Sequence, residues 1–315
     1  MIINIILLII GFVILIKGAD LFVDGASSIA LNLKLSKMLI GLTIVSFGTS
    51  APEFAVSVTS LLNSQGDIVL GNVIGSNILN ILLILGVSSM FHSLNVKNAT
   101  VKKEIPITIL FTSLLFVLIS DNLFGSGVNK LTRSDGIIII LFFMIFIYYL
   151  ITMMRNKVDD NEEVCYGKLK SVIYTLIGII AIIIGSNFVV RNASSIATVL
   201  GVSERMIALT IVALGTSLPE LVTSVTATKK GEYDIAIGNV VGSNIFNIGI
   251  VLGVPVALFG EINNISIQLL DIIIMIISAV LLFIFSVKDH KINKKEGIIF
   301  LMIFVIYYGY IILGG

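Results

Sequence analysis

The chain has 315 residues, 57% of them hydrophobic and only 12% charged, with a mean hydropathy of +1.10. A water-soluble domain is about a quarter charged, so the solvent for most of this surface is a bilayer. The 20 Lys and Arg against 19 Asp and Glu leave a net charge of +1, which excludes a nucleic-acid partner. One cysteine, Cys165, excludes an intramolecular disulfide, and His92 and His290 leave almost nothing for zinc or a histidine base.

A hydrocarbon core about 30 Å thick needs about 20 apolar residues per helix. Such runs lie near 2–25, 38–62, 68–91, 105–120 and 136–153, then near 171–191, 205–228, 235–259, 266–286 and 297–313. The first has no basic stretch before it and no cleavage pattern after it, and reads as a span rather than a leader. Arg155 to Lys170 is the longest polar break, with Asp159, Asp160, Glu162 and Glu163. It lacks the spacing of an EF-hand and reads as a cytoplasmic linker. The expected fold is an all-α polytopic membrane protein of ten transmembrane helices, divided into residues 1–153, the linker 154–170 and residues 171–315.

Basic residues orient the spans. With both termini outside, Lys34, Lys37, Lys97, Lys102, Lys103, Arg155, Lys157, Lys168 and Lys170 fall inside, as do Lys229, Lys230, Lys288, Lys291, Lys294 and Lys295. Only Lys130, Arg133 and Arg205 lie in outside loops. A multi-pass protein of the cell membrane is expected, with extracellular termini and a cytoplasmic central loop.

The chain also repeats itself. GTSAPE at Gly48–Glu53 returns as GTSLPE at Gly215–Glu220, and GNVIGSNILNI at Gly71–Ile81 returns as GNVVGSNIFNI at Gly238–Ile248. One shift of 167 positions aligns both pairs without a gap. Each copy holds an odd number of spans, so the copies insert oppositely. The charges agree: Lys34 and Lys37 mark an inner loop whose counterpart carries Gly201 and Glu204, and Lys229 and Lys230 match Leu62 and Asn63. Two inverted five-helix repeats are an architecture of secondary transporters, with the site expected at the midplane between them. A duplication without transport is the plainer alternative.

Glu53 lies about 15 residues, or about 22 Å, into its span, and Glu220 holds the equivalent place. Ionisable groups at that depth normally face a cavity or a partner. Each follows a proline, Pro52 or Pro219, which cannot donate to the carbonyl of Gly48 or Gly215 and opens the turn. A bound cation would satisfy such freed carbonyls. Thr49, Ser50, Thr216 and Ser217 add hydroxyls there, and carbonyl, hydroxyl and carboxylate oxygens together suit Ca²⁺. The plainer reading is a kinked helix whose glutamate pairs with lysine. Lys17 is the one lysine at depth, however, and its counterpart is Ile184.

On the following helix Asn72, Ser76 and Asn80 form one polar stripe, as do Asn239, Ser243 and Asn247. Gly71, Gly75, Gly238 and Gly242 form a small-xxx-small pattern that admits a close neighbour. Asn72 and Asn239 are expected to cap or pack rather than ligate, and Lys17, Asp20 and Asp24 to pair locally along the first span.

GTSxPE followed by GNxxGSNxxN, twice over nearly the whole chain, resembles the cation/calcium antiporter superfamily, specifically its microbial sodium/calcium exchangers. The resemblance implies that Glu53 and Glu220 bind Ca²⁺ directly, helped by the carbonyls of Thr49 and Thr216. It implies that the side chains of Thr49, Ser50, Ser76, Thr216, Ser217 and Ser243, with the carbonyls of Ser46 and Ala213, serve Na⁺. Asn80 and Asn247 would border a middle site. Sliding of the first and sixth helices would give alternating access. Some relatives have Asp where Asn247 stands, and its absence leans away from potassium dependence. Proton-coupled relatives usually place an acid near Ser76 or Ser243, so the serines lean toward sodium.

The expected function is therefore Na⁺/Ca²⁺ antiport by a monomer without a cofactor, the ions being cargo. H⁺/Ca²⁺ antiport through the same glutamates is the alternative, since burial raises a carboxylate's proton affinity. A passive cation channel also stays open. An intramembrane protease is disfavoured: a serine mechanism wants a histidine near Ser50 or Ser217, and both histidines fall in loops.

Overall fold

The computed structural model describes residues 1–123, 125, 127–155, 166–202, 207, 210–211 and 213–313. Its principal helices are α1 (Ile2–Leu33), α2 (Lys37–Thr49), α3 (Ala51–Leu62), α4 (Gly66–Phe91), α5 (Glu104–Leu118) and α6 (Arg133–Arg155). They continue as α7 (Lys168–Val199), α8 (Ala213–Thr216), α9 (Leu218–Lys229), α10 (Tyr233–Phe259), α11 (Leu269–Asp289) and α12 (Lys294–Leu313). The linker acids Asp159, Asp160, Glu162 and Glu163, Cys165, and Glu204 and Arg205 lie outside the described residues.

The repeat is visible in where the helices begin. Both α3 and α9 start one residue before a proline, where the missing N–H has no intrahelical partner to lose. The preceding serines have nearly the same backbone, Ser50 at φ −83°, ψ 6° and Ser217 at φ −88°, ψ 5°. In the first copy α2 and α3 are bent by 46° there. Further on, α4 and α10 both widen into a π-helical turn at an asparagine, over Asn80–Leu85 and Asn247–Leu252.

Among the described residues seven helices are long and apolar enough to cross a membrane: α1, α4, α6, α7, α10, α11 and α12. An eighth span results if the bent pair α2–α3 counts as one. The protein is thus a multi-pass membrane protein. The structure departs from the ten uniform runs of the sequence at one place. The run 38–62 is broken at Ser50, whereas the run near 105–120 is the helix Glu104–Leu118; the run 205–228 lies partly outside the described residues. A helix of 15 residues is about 22 Å long, shorter than the hydrocarbon core, as the short apolar run in the sequence indicates.

The loops collect into two groups. Lys37 meets Glu232 at 2.9 Å and Lys97 meets Asp234 at 2.5 Å. A two-stranded antiparallel ribbon joins β1 (Leu94–Asn95) to β2 (Lys291–Ile292) in the same group. In the other group Leu131 and Ile262 exchange backbone hydrogen bonds at 2.8 and 2.9 Å, and Asp67 accepts from Ser266. The equivalent turns at 63–65 and 230–232 therefore fall in different groups.

Packing separates two kinds of helix. The most apolar stretch is 72% buried in α4 and 83% in α10, but 22% in α1 and 33% in α7. α1 and α7 run together through small residues: a Cβ on Gly178 would stand 2.6 Å from the Phe22 nitrogen, and one on Gly185 would stand 2.6 Å from that of Leu15. Lipid tails offer no hydrophobic drive for such pairing, so close backbone approach supplies it through dispersion. Contrary to the expectation of local pairing, Asp24 and Asp20 reach across to Lys230 at 2.7 and 3.5 Å. They are one turn apart on α1 and face the turn after α9, a tertiary neighbour that α1 alone cannot reveal.

Candidate functional site

The two proline-marked breaks deliver Glu53 and Glu220 to the middle of the bundle, each 1% exposed. Each break faces the polar helix of the other copy. Ser50 Oγ donates to Glu220 Oε1 at 3.1 Å, and Ser217 Oγ donates to Ser76 Oγ at 3.3 Å. Thr49 Oγ1 lies 3.0 Å from Asn239 Oδ1 and 3.1 Å from the Val45 carbonyl, and its one proton serves one of them at a time.

The bond from Ser50 to Glu220 ties together the two breaks from which the carboxylates project. Neither oxygen of Glu53, nor Oε2 of Glu220, has a hydrogen-bond partner among the described residues. Asn80 Oδ1, Asn247 Oδ1 and Ser243 Oγ are likewise buried and unpartnered. Buried polar atoms are ordinarily paired because an unpaired one forfeits its hydration. Glu53, Glu220, Asn80 and Asn247 thus leave buried acceptors unpaired on α3 and α9 and on the helices that pack against them. Such a set fits a desolvated hard cation, which accepts many oxygen ligands at once. Among the described residues no three His, Cys, Asp or Glu side chains cluster, so any ion held here relies on neutral oxygens as well.

The structure brings Thr49, Ser50 and Glu220 into contact across the copies and Ser76 into contact with Ser217, with Glu53, Asn80, Ser243 and Asn247 buried on the same helices. Ser46 sits on α2 and is fully buried, its hydroxyl donating to the Thr43 carbonyl at 3.3 Å. Ala213 and Thr216 bound α8. Asn72 and Asn239 each donate to the backbone carbonyl of their own copy's glutamate, at 3.2 and 3.4 Å. They brace the main chain of the glutamate, as capping residues would.

One expectation needs correction. The Gly215 carbonyl, exposed by Pro219, accepts a hydrogen bond from Ser186 Oγ of α7 at 3.0 Å, so no cation is required to satisfy it. The counterpart of Ser186 is Ala19, which has no hydroxyl to offer Gly48. The closely approaching neighbour of Gly238 and Gly242 is α2. A Cβ on Gly238 would lie 2.9 Å from the Gly41 Cα, and one on Gly242 would lie 2.7 Å from Ser46 Oγ.

Sequence reasoning missed Asn77 and Asn244. Their amides donate to each other's backbone carbonyls, Asn77 to Asn244 at 3.2 Å and Asn244 to Asn77 at 3.3 Å. Both stand within the repeated GSNxxN segment, a signal that was present but lay off the stripe.

The family model described as sodium/calcium exchanger protein matches residues 3–152 and 170–313. The chain is 36% identical over 319 residues to the putative antiporter CaxA of Alkalimonas amylolytica, covering 98% of each chain. It is 32% identical over 340 residues to the sodium/calcium exchanger MaX1 of Methanosarcina acetivorans, covering 96% of this chain and 97% of that one. Among solved structures it is similar to the sodium-calcium exchanger NCX_Mj soaked with 2.5 mM Na⁺ and 0.1 mM Ca²⁺, at a TM-score of 0.84 and 31% identity over 98% of each chain. The chain therefore belongs to the sodium/calcium exchanger protein family, within the cation/calcium antiporter superfamily.

Proposed function

We propose that this chain is a Na⁺-driven Ca²⁺ antiporter whose two copies of one five-helix unit insert oppositely, with both termini outside the cell and the 154–170 linker inside. Equivalent turns in different loop groups support the inversion, and the excess of Lys in the group containing Lys37, Lys97 and Lys230 supports the orientation by the positive-inside rule. The chain divides at the linker into residues 1–153 and 171–315.

The observation that carries the function is the pair Glu53 and Glu220, buried, on breaks joined through Ser50, and short of donors. Two like charges in a dry site are costly, and one Ca²⁺ or two Na⁺ would neutralise them. Glu53 and Glu220, with the Thr49 and Thr216 carbonyls, would hold Ca²⁺. The side chains of Thr49, Ser50, Ser76, Thr216, Ser217 and Ser243 and the carbonyls of Ser46 and Ala213 would complete the Na⁺ positions, bordered by Asn80 and Asn247. Because the ions share ligands, they compete. The smooth, glycine-lined α1–α7 pair is the element suited to slide against this fixed set, since small residues leave few interlocking side chains to break.

The test uses purified protein in sodium-loaded liposomes, following radioactive Ca²⁺ uptake on dilution into sodium-free buffer with pH and voltage clamped. The expected result is uptake that requires internal Na⁺. Uptake driven only by an imposed pH gradient would instead assign H⁺/Ca²⁺ exchange to the same glutamates.

A further inference from the structure

Four asparagines join α4 to α10: Asn77 and Asn80 from one copy, Asn244 and Asn247 from the other, each 1% exposed. Their bonds run in a fixed order that starts from the backbone. A main-chain carbonyl can only accept, so the bonds from Asn77 to the Asn244 carbonyl and from Asn244 to the Asn77 carbonyl must come from the amide nitrogens. That turns the side-chain oxygens of Asn77 and Asn244 the other way. An amide oxygen also only accepts, so the neighbours that meet it must present nitrogen. Asn80 donates to Asn244 Oδ1 at 2.9 Å, and Asn247 donates to Asn77 Oδ1 at 3.0 Å. The oxygens of Asn80 and Asn247 are then the atoms left without partners.

We infer that Asn77 and Asn244 are positioning residues that set the polarity of the ion site, holding Asn247 and Asn80 with oxygen rather than NH₂ available to a cation. An unrestrained amide can rotate by 180° and offer two donors instead, which would repel a cation. The control is crossed between copies: Asn77 of the first orients Asn247 of the second, and Asn244 orients Asn80. This inference rests on the reading of the site as one that binds Ca²⁺.

The test is equilibrium binding of radioactive Ca²⁺ to detergent-purified protein, which does not depend on the driving ion. Asn77→Ala and Asn244→Ala should each weaken binding about tenfold, the scale of a lost buried hydrogen bond together with the misdirected group it leaves. The crossing is read from double-variant cycles, because residues acting through one another are non-additive. Adding Asn247→Ala to Asn77→Ala should cost nothing more, whereas adding Asn80→Ala should cost its full single-variant factor. The reverse should hold for Asn244→Ala. A general packing role would make all four combinations behave alike, and that result overturns the inference.

Where an alanine variant does not fold, Asn77→Asp and Asn244→Asp keep an acceptor toward the partner amide. Asn247→Ala or Asn80→Ala should then cost as much in that background as in the parent chain, and the loss of this dependence overturns the inference too. A parent protein that binds no Ca²⁺ would sink the functional reading itself, a result distinct from binding without the crossed pattern.

Discussion

The inner helices α4 and α10 and the outer pair α1 and α7 follow opposite rules. The inner two are mostly buried yet carry Asn72, Ser76, Asn77, Asn80, Asn239, Ser243, Asn244 and Asn247. The outer two are mostly exposed yet show chiefly aliphatic side chains such as Ile2, Ile9, Val13, Leu176 and Ile180. In water this distribution would be inside out. In lipid it is the stable one: the hydrocarbon solvates isoleucine as well as a core does, whereas polar groups gain by meeting each other. The inner helices thus hold chemistry in place through hydrogen bonds, and the outer pair is joined chiefly by close backbone contact, with Asn32 near the end of α1 donating to the Tyr166 carbonyl just before α7.

If that division of labour is right, the largest effect belongs to the charges between the inner helices. Glu53→Gln or Glu220→Gln should reduce Na⁺-dependent Ca²⁺ uptake by at least about a hundredfold, on the scale of removing one partner from a buried ionic site. Flux in proteoliposomes measures this, and near-normal exchange in either variant would break the assignment.

The next effect separates motion from binding. Gly185→Leu places a branched side chain against the Leu15 backbone. Overpacking there should slow exchange about tenfold or more, while Ca²⁺ affinity changes by no more than about threefold, a range appropriate to a distant site. An affinity loss like that of the glutamate variants would show that the outer pair shapes the ion site directly.

Smaller changes test the braces. Asn239→Ala removes donors from the Glu220 carbonyl and Ser224 Oγ, and Asn72→Ala does so for Glu53 and Ser57. Each should cost about 1 kcal/mol, or about fivefold in Ca²⁺ affinity. Asn239→Ala also removes the acceptor 3.0 Å from Thr49 Oγ1, so its effect should be the larger of the two. The smallest effect belongs to Lys230→Ala. Its partners Asp20 and Asp24 are more than a third exposed on average, so stability should fall by less than about 1 kcal/mol. That difference should fade as salt is raised.

How much of this was legible depended on the range of the interaction. The repeat, the depth of Glu53 and Glu220 and the breaks at Pro52 and Pro219 are properties of short segments, and the residues announce them. The reading of Asn72, Ser76 and Asn80 as one stripe followed α-helical spacing and stopped there. Asn77 sits one position off that line, and its partners are 167 and 170 residues away. The π-helical turn that opens at Asn80 and Asn247 also departs from the spacing assumed. Ser186 on the Gly215 carbonyl and Lys230 on Asp24 were hidden for the same reason: each joins segments whose proximity only the assembled bundle creates.

The central claim is that one shared set of oxygens around Glu53 and Glu220 serves both ions. Its most direct test is equilibrium Ca²⁺ binding to the purified protein while Na⁺ is titrated at constant ionic strength, with Glu53→Gln and Glu220→Gln as controls. The account predicts one Ca²⁺ per chain, displaced cooperatively by more than one Na⁺, with binding lost in both variants. Ca²⁺ that stays bound at saturating Na⁺, or that binds undiminished in either variant, would contradict it.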